Sequence, residues 1–115
     1  MFFLVIILND SDNMLHYSIT EKYAIINILS LIMEADTVIH PKEIAFMNKV
    51  MEEMEISVMD LDHLEIKDLI LEKQVILEMG NEKQSEIKSL FIQMAEIDGY
   101  VDTREMDIIN FIFPK

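Results

Sequence analysis

The sequence predicts an all-α protein, an irregular bundle of about six to seven helices built from two related helical hairpins. Three observations lead there. Apolar residues recur at helical spacing through much of the 115-residue chain. Two glycines and two prolines are fewer than the turns of an all-β chain of this length would use. The chain also nearly repeats itself: Asp36-Thr-Val-Ile-His-Pro-Lys-Glu43 and Asp98-Gly-Tyr-Val-Asp-Thr-Arg-Glu105 share the form Asp-x-x-x-x-x-x-Glu, at a constant offset of 98 − 36 = 62. At that offset Glu34/Glu96, Asp36/Asp98, Glu43/Glu105 and Asn48/Asn110 are identical, while most other matches keep apolar against apolar.

With 51% apolar residues the chain holds enough hydrophobic material for one core and one domain. Residues 1–17 read as an apolar lead segment and 18–115 as a helical domain. Phe2–Leu8 is too short to cross a bilayer, which takes about 20 residues in a helix, and it lacks the basic flank and cleavage site of a signal peptide. It is expected to pack on the core or on a second copy of the chain, giving a homodimer. A start at Met14 is the alternative.

Each later element has its own signal. Ser18-Ile-Thr-Glu21 is a capping box opening a helix to about Asp36. Its polar residues Tyr23, Asn27, Ser30 and Glu34 form one narrow stripe among isoleucines and leucines, so this helix should be the buried centre. Pro41 suits the first position of a second helix to about Met54, with Ile44, Met47, Val50, Met51 and Met54 inward and Lys49, Glu52 and Glu53 outward. The charged stretch 57–80 suggests two short helices, near 58–64 and 69–79, with Gly80 as a C-terminal cap. Asn81-Glu-Lys-Gln84 reads as a capping box before an amphipathic helix that buries Ile87, Leu90, Phe91 and Met94. Asp102-Thr-Arg-Glu105 caps the last helix, which buries Met106, Ile109 and Ile112. The ten methionines fall mostly in apolar helical positions and read as core filling.

Charge narrows the function. With 22 acidic and 9 basic residues the formal net charge is −13, which opposes binding to nucleic acid and to anionic lipid heads. Neither direct membrane insertion nor nucleic acid is expected; a basic protein partner or a cation is. The chain has no cysteine, which fits a reducing cytoplasm. No phosphate-binding loop and no Gly-x-Ser-x-Gly elbow occurs. His40-Pro41-Lys42 lacks the acid of the His-Pro-Asp motif of J-domains, and His16 and His63 have no partner at metal-ligand spacing. The expectation is a protein that is not an enzyme.

The acidic loops admit two readings. Asp36 and Asp98 follow helix ends, where Asx-turns can satisfy them, and Gly99 permits a left-handed backbone. Glu43 and Glu105 then serve as the returning halves of capping boxes. Alternatively Asp98, Asp102 and Glu105 offer three hard oxygen ligands for Ca²⁺ or Mg²⁺, with Asp36 and Glu43 as a second, weaker set; no other cofactor is expected. The twelve-residue spacing of an EF-hand is absent, and the first loop has His40 and Thr37 where the second has Asp102 and Gly99.

Leu-Ile-Met-Glu-Ala-Asp36-Thr-Val-Ile-His-Pro-Lys-Glu43 and Gln-Met-Ala-Glu-Ile-Asp98-Gly-Tyr-Val-Asp-Thr-Arg-Glu105 resemble the twin signatures of the TerB-like family, over about residues 18 to 113. That family includes tellurite-resistance proteins and the N-terminal domain of a membrane-anchored J-domain co-chaperone. The resemblance implies a bundle of about seven helices and a bacterial protein of the tellurite or chemical-stress response. It further implies metal binding through these acids and action beside partner proteins.

Overall fold

The computed structural model describes residues 17–35, 38–57, 68–97, 99 and 101–114. Among these residues there are five helices and no strand: α1 (Ile19–Glu34), α2 (Pro41–Met54), α3 (Leu69–Leu77), α4 (Asn81–Glu96) and α5 (Thr103–Ile112). The all-α class is therefore observed. The helix expected near 58–64 and the apolar segment Phe2–Leu8 lie outside the described residues.

Helix α1 starts where its capping box places it. Ser18 Oγ accepts from the Glu21 amide at 3.1 Å and Glu21 Oε1 accepts from the Ser18 amide at 2.8 Å, so two of the orphan donors at the helix start are satisfied. The helix packs against all four others. Ala24, Ile25, Ile26, Ile28, Leu29 and Ile32 are almost wholly buried, as a helix apolar on most of its circumference must be. Lys22 reaches across to donate from Nζ to the Met54 carbonyl at 2.9 Å, placing a cation on an unsatisfied carbonyl at the negative end of α2. Glu55 turns the chain there with φ 59° and ψ 40°, a left-handed residue that is not glycine.

In α2, Met47, Val50, Met51 and Met54 face inward as expected. Ile44 does not: it is 47% exposed, and Phe46, two positions on, is buried in its place. Both residues are apolar and lie on opposite flanks of the buried stripe, so spacing alone did not separate them; the packing of α2 on α1 and α4 covers the Phe46 flank.

The junction between α3 and α4 also differs from expectation. Gly80 is extended, with φ −65° and ψ 162°, and serves as the N-cap of α4, while Glu78 is the C-cap of α3. Asn81 is thus already helical and makes no capping box. Gln84 instead donates from Nε2 to the carbonyls of Met79 at 2.7 Å and Leu77 at 3.1 Å, so its amide satisfies the end of the preceding helix rather than the start of its own.

Ile87, Leu90, Phe91 and Met94 line one buried face of α4, and Ile109 and Ile112 line that of α5. Met106 is half-buried at the edge. Phe91 meets Phe113 with ring centroids 6.2 Å apart and planes inclined at 45°, a tilted geometry favoured by the ring quadrupoles. Tyr17, within the lead segment by sequence, is buried against the same core.

Helix boundaries follow the sequence repeat. Helix α1 (19–34) and α4 (81–96) begin and end 62 residues apart, as do their N-caps Ser18 and Gly80. Helices α2 and α5 likewise start 62 residues apart, after N-caps His40 and Asp102. Glu21 and Lys83 are equivalent at this offset, and they form an ion pair with each other at 3.2 Å.

Candidate functional site

Three of the five candidate ligand residues fall within the described part of the chain, and each is engaged at a helix start. Glu43 is the third residue of α2. Its side chain is 1% exposed, and Oε1 accepts from the His40 amide at 3.0 Å. Glu105 is the third residue of α5, equally buried at 1%, and Oε1 accepts from the Asp102 amide at 3.4 Å. A carboxylate at this position lies beside the exposed amides and the positive end of the helix dipole, which offsets part of the cost of burying it.

Asp102 closes the second box. Its Oδ1 accepts from the Arg104 amide at 2.7 Å and from Arg104 Nε at 3.0 Å, and Oδ2 accepts from Arg104 Nη2 at 3.0 Å. The guanidinium fork, then the backbone amide, hold the Asp102 carboxyl below its ordinary value of 3.8. Both oxygens are thus already used within the chain. Gly99 takes φ +85°, the left-handed conformation that its lack of a Cβ permits. Asp36 and Asp98, the first acids of the two loops, lie outside the described residues, so the full sets Asp36/Glu43 and Asp98/Asp102/Glu105 are not seen assembled. Among the described residues no group of three or more His, Asp or Glu is placed to hold a metal ion.

A polar contact that the sequence did not single out lies elsewhere. Asn27, on the polar stripe of α1, is buried because α3 covers it, and its Nδ2 donates to Glu72 Oε2 at 2.8 Å. Asn27 Oδ1 is buried with no hydrogen-bond donor among the described residues. Burial raises the Glu72 pKa above 4.5; the Asn27 bond opposes that shift, and the charge of Asp68, one turn earlier, adds to it. The signal for this contact was an Asn amid an isoleucine-rich helix, but its partner is 45 residues away. Gln93 is a second buried amide, with Nε2 3.4 Å from Ser89 Oγ.

No helix among the described residues is long and apolar enough to cross a membrane. Compared with protein-family models, curated proteins and solved structures, the chain matches none of them.

Proposed function

We propose that this chain is a non-enzymatic, TerB-like interaction module of a bacterial stress response, a duplicated helical hairpin in which the loop acids hold helix starts while the surface docks a protein partner. The observation that carries this reading is the use of Glu43, Asp102 and Glu105 as helix caps, two of them almost wholly buried. Glu43 and Glu105 each give one carboxylate oxygen, Oε1, to a backbone amide, and Asp102 gives both of its oxygens to Arg104. The duplicated-hairpin part is supported by helix boundaries that recur at the offset of the sequence repeat. A cytoplasmic location goes with the same reading.

Calorimetric titration of Ca²⁺ and Mg²⁺ tests it. With −13 of net charge, diffuse cation binding is expected at low salt, so the titration is read at about 0.15 M salt, where exposed charges are screened. The interaction reading expects no salt-resistant response, together with a stability loss of about 1 kcal/mol in Glu105→Gln, in the range of a weakened cap. A salt-resistant response that Asp98→Asn abolishes would overturn it in favour of a cation-binding protein.

A further inference from the structure

We infer that the outer face of α3, extended by Phe111 of α5, docks a basic amphipathic helix of a partner protein; this deepens the interaction-module reading and rests on it. Helix α3 is apolar on both sides. Ile76 is fully buried, and Leu69 and Val75 pack against the core. The opposite side carries Ile70, Leu71 and Leu77, exposed at 63%, 56% and 42%. Ile70 and Leu77, seven residues apart, lie on one line of the helix, and Leu71 is about 100° round from Ile70, past exposed Gln74, on the same solvent side.

Phe111 adjoins the stripe. Lys73 lies between Ile70 and Leu77 on the α3 surface, and its Nζ stands 4.3 Å from the centroid of the Phe111 ring, itself 42% exposed. Ile70, Leu77 and Phe111 therefore stand around Lys73, with Leu71 beyond Gln74 on the same exposed side of α3, whereas the other exposed apolar side chains, such as Val38 and Ile39, lie at loops and helix starts. Single exposed apolar side chains are ordinary; a contiguous group on adjacent helices marks a contact surface.

Charge selects the occupant. Exposed Glu78 lies two turns along from Leu71 on the same side of α3, and exposed Asp107 precedes Phe111 by one turn of α5. Lys73, over the Phe111 ring, keeps its charge and is the cation of the patch, whereas Arg104 is held by Asp102, so the two acids outnumber it. A second copy would bring these acids and another −13 of charge against the patch. A helix with an apolar stripe flanked by lysines fits both the apolar centre and the acidic margin, a groove-and-helix mode of recognition.

The test is fluorescence anisotropy with a labelled synthetic amphipathic peptide of Leu and Lys at helical spacing, and with its Leu and Glu counterpart, against the full chain at about 0.15 M salt. The Leu/Lys peptide should bind and the Leu/Glu peptide should not. Ile70→Ser with Leu77→Ser should weaken binding at least about tenfold, as loss of central apolar anchors does, while Val38→Ser leaves it unchanged. Glu78→Lys with Asp107→Lys, which touches no core residue, should also weaken it. Equal binding by the parent and both double variants would overturn the assignment of this face while leaving the module reading intact. Absence of Leu/Lys binding by the parent overturns it as well. A parent dimer in sedimentation that Ile70→Ser with Leu77→Ser disperses would give the face to a second copy. Peptide binding that tightens about tenfold or more on removal of residues 1–16 would give it to the chain's own apolar lead segment. Failure of the module reading itself is distinct, because it shows in the cation titration.

Discussion

Replacing Glu72 by Gln is expected to stabilise the protein at neutral pH. Asn27 donates to Glu72 Oε2 at 2.8 Å, but the other end of the same buried amide, Oδ1, has no donor among the described residues. A carboxylate has no proton to give it; a glutamine amide, or a protonated Glu72, does. The net upward shift of the Glu72 pKa says that the fold favours the uncharged side chain even though the Asn27 bond loses its charge assistance. Supplying a donor to a buried acceptor contributes about 1 kcal/mol. Glu72 is only half-buried and solvent screens its charge, so no larger electrostatic gain is added. For a domain of this size about 1 kcal/mol corresponds to a rise in Tm of about 4 °C.

The pH dependence has a definite sign. Because the folded-state pKa is raised, the folded protein holds this proton more tightly than the unfolded chain, and the contribution of Glu72 improves as pH falls through the raised value toward 4.5. The advantage of Glu72→Gln should therefore be full near neutral pH and shrink toward zero below pH 4.5, where the parent carries its own proton. Urea unfolding of parent and variant at both pH values measures this. A variant less stable than the parent near neutrality, or an advantage unchanged in acid, would refute the reasoning.

Glu55→Gly should raise stability by about 0.5–1 kcal/mol, read as a higher urea midpoint, because glycine removes the left-handed strain at φ 59° and loses only part of that gain to a freer unfolded chain. Phe91→Ala removes a fully buried ring and its contact with Phe113; a loss of about 3–5 kcal/mol is expected in the same assay, enough to threaten folding of a domain this small.

The all-α class and most helix starts were legible in the sequence because the forces that set them act within about four residues. Ser18 with Glu21, Pro41, and Asp102 with Glu105 each mark a start that the structure keeps, since a capping oxygen finds a nearby amide, and a proline ring fixes φ for the first helical position, whatever lies beyond. The repeat was legible too, and the helix boundaries follow it. Where two local signals competed, sequence reasoning failed: Gln84 had both its own helix start and the end of α3 within reach, and only the folded turn gave it the carbonyls of Leu77 and Met79. The candidate site was legible as a set of capping carboxylates but not as an assembled cluster, for bringing two loops together is a property of packing. The same holds for exposure. Whether Ile44 or Phe46 faces inward, whether Asn27 meets water or Glu72, and which side of α3 is left bare depend on helices far along the chain, and hydrophobic burial carries no direction until those helices are in place.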